Sequence, residues 1–207
     1  MFQSFSPNML KTFELCPKKF FFKYVKNISM PVNDDIFEFG KNIHALASYY
    51  LKKENIDRME NALSPKEKLV WEYLKGSEYF SYETVNTEYN LSVKIGSHFF
   101  GGRIDALVKH NDRYYILDYK TGSIPKNPKF DYQTMIYLLA VRKFFNTDNV
   151  AFVYLDLRGK TEFAIELTEE LVKDYEIKLT NIAQSIDKEE FHPVKNCKCE
   201  YKIICYH

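Results

Sequence analysis

The chain has 207 residues, of which 45% are hydrophobic and 28% are charged, and its formal net charge is +1. This length suffices for one well-filled core, and the composition argues against long disordered stretches. No run approaches the roughly 20 apolar residues of a membrane span, and the amino terminus lacks the basic-then-apolar pattern of a signal peptide. We therefore expect a cytoplasmic protein with no membrane association, whose net charge neither favours nor excludes nucleic acid as a partner.

Capping and periodicity signals predict helices at both ends of the chain and strands in its middle. A serine followed by proline begins a helix at Ser6 and again at Ser64, where Glu67 completes a capping box. Apolar residues at three-four spacing indicate a helix around His44. In chain order, the expected elements are helices over 6–16, 37–51 and 64–74, strands over 85–95 and, as a hairpin, 99–120, a helix over 131–145, strands over 151–157 and 162–167, and a helix over 168–186. This order predicts an α/β fold with a mixed sheet flanked by helices.

The stretch RIDALVKHNDRYYILDYKTG, residues 103–122, reads as two apolar strands around a polar turn. A two-residue turn at Asn111 and the following aspartate places Asp105 opposite Asp118, about 5 Å away, where like charges repel. Two such buried carboxylates need a shared proton or a cation. Lys120 shares the face of Asp118 because strand side chains repeat every second residue. The pattern therefore indicates a Mg²⁺ or Mn²⁺ site, and the alternative is a salt-bridged hairpin end.

The same register assigns the apolar side chains of the hairpin to two faces. Leu107 and Ile116 share the face of the carboxylates. Ile104 is expected on the other face, together with Ala106 and Val108. Apolar residues on both faces predict that the hairpin lies inside the protein.

Several segments resemble the PD-(D/E)xK nuclease superfamily, and within it the RecB-like branch that includes the AddB nuclease domains and the CRISPR-associated RecB-like exonucleases. The segments are SFSPNMLKTFELCPKKFFFKYV, FGKNIHALASYYL, GGRIDALV, YYILDYKTG and DYQTMIYLLAV, and they occur in this order along nearly the whole chain. The resemblance implies a restriction-endonuclease-like core of order αβββαβ, in a single nuclease domain over residues 1–207. That order agrees with the elements read from the residues themselves.

The resemblance also implies roles for individual residues. The implied metal ligands are His44, Asp105, Asp118 and the backbone carbonyl of Tyr119, and the implied catalytic residues are Lys120, Asp118, Asp105, Gln133 and Tyr137. The alternatives are a core histidine at His44 and a simple helical pair at Gln133 and Tyr137. Glu88 on the preceding strand is a further acidic neighbour whose direction the sequence does not fix. The implied chemistry is phosphodiester hydrolysis, in which Mg²⁺ or Mn²⁺ activates water and Lys120 orients the nucleophile or stabilises the phosphorane.

Three of the four cysteines lie in the last eleven residues, CKCEYKIICYH. In a cytoplasmic protein such clustering favours a thiolate metal site over disulfides. RecB-like relatives with an iron–sulfur cluster have one cysteine before the nuclease core and three after it. The resemblance therefore implies a [4Fe–4S] cluster on Cys16, Cys197, Cys199 and Cys205.

This cluster would join residues 1–30 and 187–207 into one subregion. The relatives have two residues between the first two cysteines of the terminal three, whereas Lys198 alone separates Cys197 from Cys199. Zn²⁺ held by cysteines together with His192 or His207 is therefore an alternative.

The leading hypothesis is a metal-dependent DNA nuclease, an exonuclease that acts on single-stranded DNA ends in CRISPR adaptation or recombinational repair. The preference for single-stranded ends comes from the resemblance. One alternative is a catalytically inactive iron–sulfur or zinc DNA-binding module that supports a helicase or CRISPR integrase partner, and another is a structural zinc protein. The retention of Asp105, Asp118 and Lys120 argues against an inactive module. No Gly-x-x-x-x-Gly-Lys-Ser/Thr loop is present, so the chain supplies no motor of its own.

Overall fold

The computed structural model describes residues 2–30, 35–195 and 199–205. Its helices are α1 (Pro7–Leu15), α2 (Pro17–Phe20), α3 (Asp35–Leu51), α4 (Asp57–Ala62), α5 (Pro65–Lys75), α6 (Tyr132–Phe145), α7 (Glu169–Asp187) and α8 (Lys202–Cys205). A π-helical turn, Phe21–Val25, follows α2, and short 3₁₀ turns lie at Glu78–Ser81 and Pro128–Phe130. Its strands are β1 (Ser4–Phe5), β2 (Glu83–Ile95), β3 (His98–His110), β4 (Arg113–Lys120), β5 (Val150–Asp156) and β6 (Thr161–Glu166).

The strands form one mixed sheet with a gap on one edge of β3. β2 pairs antiparallel with β3 along most of its length, β4 pairs antiparallel with β3 and parallel with β5, and β6 pairs antiparallel with β5. β1 pairs in parallel with β3 at Phe99 and Phe100. β2 occupies the other edge of β3 there, so β1 and β4 share one edge. Residues 101–105 of β3 lie between the two and pair with neither of them on that edge, and this stretch is the gap in the sheet.

Two apolar clusters enclose the sheet between helices. One cluster joins the sheet to α1, α6 and α7, and the other joins it to α3 and α5. Ile116 belongs to the first and Leu117 to the second, and Phe152 and Val153 divide in the same way, because strand side chains alternate. The predicted α/β fold, a mixed sheet flanked by helices, is confirmed.

The predicted register of the hairpin is also confirmed. His110 pairs with Arg113, and the turn between them includes Asn111 with a φ of 53°. The ladder runs as far as the pair of Ala106 and Leu117. It ends there, one residue before the two carboxylates that were expected to face each other.

Side-chain alternation reverses in the middle of both β2 and β3. Ile104 packs in the cluster of α6, whereas Ala106 packs in the cluster of α3, so the expectation that these two share a face is wrong. The side chains of Asp105 and Ala106 are consecutive yet both lie on the α3 side, so the alternation of β3 breaks between them. On β2, Thr87 hydrogen-bonds to α3, and Glu88 follows in the left-handed region with a φ of 49°. Carboxylates from both strands are thereby directed toward α3.

The helix starts follow the predicted capping signals. The Ser6 hydroxyl accepts a hydrogen bond from a backbone N–H in the first turn of α1. At α5, Ser64 and Glu67 form a complete capping box. Pro17 ends the first helix as predicted, but the chain continues directly into α2 and the π-helical turn. Strand β1 has only two residues, too few for a sequence pattern to indicate.

Segments from the two ends of the chain contact each other. The Lys19 ammonium lies 3.0 Å from the Glu200 carboxylate. The Tyr201 hydroxyl donates a hydrogen bond of 2.7 Å to the carbonyl of Ile28. None of the described helices is both long and apolar enough to cross a membrane.

Candidate active site

Two groups of polar side chains meet where the gap in the sheet separates β1 from β4. His44 of α3, Asp105 of β3 and Glu88 of β2 form the first group, on the α3 side. Asp118 and Lys120 of β4, together with a glutamine of α6, form the second. The gap allows both groups to reach the same region because β3 and β4 are not paired there.

The first group centres on the imidazole of His44. Its Nδ1 lies 3.2 Å from Asp105 Oδ1, and its Nε2 lies 2.9 Å from the carbonyl oxygen of Tyr119. The second oxygen of Asp105 accepts a hydrogen bond of 2.8 Å from the backbone N–H of Tyr119. Asp105 thus occupies the place where the ladder between β3 and β4 would have continued. Both nitrogens of His44 face acceptor oxygens, an arrangement that a protonated imidazole satisfies.

Glu88 completes this group. Ligand atoms of His44, Glu88 and Asp105 all lie within 4.8 Å of one another. The pairs on either side of Glu88 place it directly across from Asp105. A left-handed conformation is uncommon for a residue with a side chain and costs about 1–3 kcal/mol, and such residues concentrate at functional sites. With this conformation the Glu88 carboxylate lies near His44, on the same side of β2 as the preceding residue Thr87, whereas ordinary alternation would place it on the opposite side.

The second group is built around the Lys120 ammonium. It donates hydrogen bonds to Asp118 Oδ1 at 3.1 Å and to Gln133 Oε1 at 3.0 Å, and it lies 5.6 Å from the ring centre of Tyr154. The amide nitrogen of Gln133 donates to Asp118 Oδ1 at 3.3 Å. Asp118 Oδ2 lies 2.8 Å from the ammonium but makes no hydrogen bond within the described residues. The contact of this second oxygen with Lys120 is therefore an ion pair without hydrogen-bond geometry.

The site gathers three carboxylates, Glu88, Asp105 and Asp118, and each lies beside a basic side chain: Arg103, His44 and Lys120 respectively. Burial raises the pKa of Asp118 to about 6, the Lys120 charge opposes this, and the Asp105 charge adds to it. Burial lowers the pKa of His44, but the hydrogen bond to Asp105 and the charges of both carboxylates outweigh burial and raise it. A bound cation would offset the effect of the Asp105 charge on Asp118 and would compete with the proton of His44 for the same carboxylates.

Tyr137 of α6 fixes the backbone at the gap. Its hydroxyl donates a hydrogen bond of 3.2 Å to the carbonyl of Arg103, a group that no neighbouring strand reaches on this edge. A Cβ at Gly102 would lie 2.6 Å from the same hydroxyl, so this close approach requires glycine. Tyr137 is buried and its hydroxyl contacts the backbone of β3, so it supports the site from the side of α6.

The start of α6 holds Gln133 in position. Asp131 caps the helix by accepting a hydrogen bond of 2.9 Å from the backbone N–H of Gln133. The other oxygen of Asp131 pairs with Lys11 of α1 at 2.7 Å. The amino-terminal helix therefore supports the residue that contacts Lys120.

The predicted ligand set is divided between the two groups. His44, Asp105 and the Tyr119 carbonyl lie together, whereas Asp118 pairs with Lys120 and Gln133. Glu88 joins the first group, which the sequence reading left undecided. The sequence does contain a signal for this pairing, because a two-residue turn at Gly96 and Ser97 pairs Ile95 with His98 and sets Glu88 opposite Asp105.

The residues present suit a hard divalent cation. An imidazole, carboxylates and a main-chain carbonyl match the ligand preferences of Mn²⁺, and the oxygens match those of Mg²⁺. Asp118 is buried beside this group, and the Asp105 charge adds to the effect of burial in raising its pKa, so a cation near both carboxylates would favour their ionised forms. His44, Glu88 and Asp105 are the residues that could hold the ion directly.

The predicted thiolate residues lie near the junction of the two chain ends. Cys16 is buried between α1 and α2, and its sulfur accepts a hydrogen bond of 3.4 Å from the backbone N–H of Lys19. Cys199 is partly buried and close enough to Lys19 for its charge to affect the lysine pKa. Cys205, at the end of α8, is partly buried as well, and His192 is exposed. Cys197 and His207 lie outside the described residues.

Comparisons with known proteins give the fold and the family of the chain. A putative exonuclease from Eubacterium rectale has a similar structure, with a TM-score of 0.59 and 12% identity over 95% of this chain and 86% of that one. The protein SSO0001 aligns over 100% of this chain and 87% of its own with 16% identity and a TM-score of 0.46. No curated protein is significantly similar in sequence. The family model of the PD-(D/E)XK nuclease superfamily matches residues 4–206, and the chain therefore belongs to that superfamily.

Proposed function

We propose that the protein is a metal-dependent deoxyribonuclease of the RecB/AddB-like branch, which removes nucleotides from single-stranded DNA ends. The observation that carries this proposal is the meeting of His44, Glu88 and Asp105 with the Asp118–Lys120 pair at the gap in the sheet. The preference for single-stranded ends rests on the resemblance to RecB-like exonucleases. The similar fold of a putative exonuclease is consistent with it.

In this proposal His44, Glu88 and Asp105 hold Mg²⁺ or Mn²⁺. The Tyr119 carbonyl, which lies 2.9 Å from His44 Nε2, and Asp118 are the further ligands that the resemblance implies. The ion supplies Lewis acidity, which lowers the pKa of water and neutralises charge on the scissile phosphate. Binding requires His44 to give up the proton on one of its ring nitrogens. The carboxylates then have a cation to balance them, so their mutual repulsion is relieved.

Lys120 acts on the reacting phosphate. Asp118 and Gln133 hold its ammonium in place with hydrogen bonds, and its side chain is 21% exposed, so one donor can reach a bound substrate. There it stabilises the charge that develops on the phosphate oxygens. Loss of a positioned donor of this kind costs about 100- to 1,000-fold in rate.

The test is hydrolysis of end-labelled single-stranded and duplex DNA in the presence of Mn²⁺, Mg²⁺ or EDTA. We expect cleavage that requires a divalent ion and a loss of about 100- to 1,000-fold in Lys120→Ala. Lys109→Ala is the matched control, because Lys109 lies on the same hairpin and contacts the ring of Tyr114. If folded protein cleaves neither substrate, the proposal is wrong and a DNA-binding module that supports a partner becomes the better account.

We also propose that Cys16, Cys197, Cys199 and Cys205 bind a [4Fe–4S] cluster that joins the two ends of the chain. Support comes from the resemblance and from the contacts that bring both Cys16 and Cys199 near Lys19. Anaerobically purified protein should contain about four iron atoms and four sulfides per chain, and Cys16→Ser should lose them. Stoichiometric zinc without iron would favour the alternative thiolate site.

The biological setting that we propose is the processing of DNA ends in CRISPR adaptation or recombinational repair, with a helicase or integrase as partner. This proposal rests on the resemblance to RecB-like nucleases. The identity of the neighbouring genes tests it, because an integrase gene and a helicase gene indicate different pathways.

A further inference from the structure

The Glu88 carboxylate lies between the Arg103 guanidinium and the position where His44 and Asp105 could hold a metal ion with it. One of its oxygens lies 2.9 Å from Arg103 Nε, in an ion pair across the two strands. The same side chain belongs to the group with His44 and Asp105 that could hold a metal ion. Glu88 has two oxygens, and one of them binds the guanidinium. If Glu88 gives that oxygen, or both oxygens, to the metal, the metal and Arg103 compete for it.

Arg103 is placed where a substrate would pass. It lies two residues before Asp105 on β3, at the gap, and its side chain is 65% exposed. Its backbone carbonyl is fixed by Tyr137, and Glu88 is the ion-pair partner of its guanidinium, so loss of that pair would let the exposed guanidinium turn about a fixed base. Arginine has a planar group of donors that matches phosphate oxygens, and it remains charged at any working pH.

We propose that Glu88 exchanges Arg103 for the metal ion when the site is loaded, and that the released Arg103 binds a phosphate of the nucleic-acid strand. This inference rests on the proposed nuclease function. A metal ion beside a guanidinium also repels it, which favours movement of Arg103 toward an anion. Metal and strand would both stabilise the state in which the Glu88–Arg103 pair is broken, so each would increase the affinity for the other.

Three variants and one control separate this exchange from a purely structural ion pair. The variants are Glu88→Gln, Arg103→Ala and the combination of both. The control is Arg113→Ala, because Arg113 forms a comparable ion pair of 2.7 Å with Glu166 at the other end of the sheet. All proteins also carry Lys120→Ala, so that the strand stays intact during binding measurements.

Mn²⁺ binding without DNA, measured by electron paramagnetic resonance, is the first readout. Glu88→Gln should weaken binding by about tenfold or more. Arg103→Ala should bind Mn²⁺ more tightly than the parent protein, because the competing cation is gone. Arg113→Ala should bind it as the parent does. Equal Mn²⁺ affinity in Arg103→Ala and the parent would overturn the exchange.

Binding of a labelled single-stranded oligonucleotide, measured by fluorescence anisotropy, is the second readout. In EDTA, Glu88→Gln should bind the strand more tightly than the parent because Arg103 is released, and the double variant should lose this gain. A gain that persists in the double variant would mean that the removed negative charge alone is responsible, and would overturn the proposal. In Mn²⁺, Arg103→Ala should lower the salt slope of binding by about 0.7, the value for one phosphate contact on a single strand.

The outcomes distinguish this inference from the proposed function. Wild-type protein that shows no metal-dependent hydrolysis contradicts the nuclease proposal. Wild-type protein that hydrolyses DNA, while Arg103→Ala changes neither Mn²⁺ affinity nor the salt slope, contradicts only the exchange.

Discussion

Replacing Asp118 with asparagine should stabilise the metal-free protein at neutral pH. Asparagine has nearly the shape of the protonated carboxyl group but cannot ionise. Burial raises the pKa of Asp118 from 3.8 to about 6, which corresponds to about 3 kcal/mol of destabilisation once the group is ionised in the folded state. The folded state binds this proton more tightly than the unfolded state does. The contribution of Asp118 to the free energy of unfolding is therefore most favourable at low pH, and it becomes less favourable as the pH rises through about 4 to 6.

The assay is urea denaturation of wild type and Asp118→Asn in EDTA at pH 5 and pH 8. We expect the advantage of the variant to grow by about 1.4 kcal/mol between these two values, because the wild-type carboxyl group is largely protonated at pH 5. His44 is present in both proteins, so most of its own titration cancels in the difference. Asp174→Asn, on the exposed side of α7, is the control and should show no such change. A variant that is less stable than wild type at pH 8 would refute the reasoning, since the pairing with Lys120 would then outweigh the cost of burial.

Further predictions concern the packing around the site and the chain ends. Gly101→Ala should destabilise the protein by about 1–3 kcal/mol in urea denaturation, because the new Cβ would lie 2.5 Å from the carbonyl oxygen of Leu91 on the neighbouring strand; an unchanged midpoint would contradict this packing. Ser64→Ala removes the capping box of α5 and should cost about 0.5–2 kcal/mol, whereas the same change at exposed Ser123 should cost little. Tyr201→Phe should cost about 0.5–1.5 kcal/mol through its lost hydrogen bond, and it should make the carboxyl-terminal segment more sensitive to limited proteolysis. Equal proteolysis rates would argue against that contact.

The hairpin shows how much of the fold the sequence determines. One turn at Asn111 predicts every pair up to Ala106 and Leu117, because the side-chain period of two leaves no freedom in register. The same rule fails for Ile104. The rule fails because Asp105 and Ala106 both lie on the α3 side, a break in alternation that apolar spacing does not reveal, and the break occurs at the residue that contacts His44.

The candidate site was predictable to the extent that it depends on spacing. Asp118 and Lys120 share a face as expected, and the resemblance identified His44 and Gln133 as neighbours of this pair. The pairing of Glu88 with Asp105 follows from the turn at Gly96 and Ser97, but the positive φ of Glu88 does not, because glutamate within a strand gives no sign of it. Strained positions of this kind occur where function overrides local preference.

The central claim is that the gap in the sheet holds a divalent cation, and anomalous diffraction from crystals grown with Mn²⁺ tests it most directly. The account predicts one strong anomalous peak within coordination distance of His44, Glu88 and Asp105, with Lys120 beside it. Well-ordered crystals with no anomalous peak at this position would contradict the account, because the clustered carboxylates would then have some purpose other than binding a metal ion.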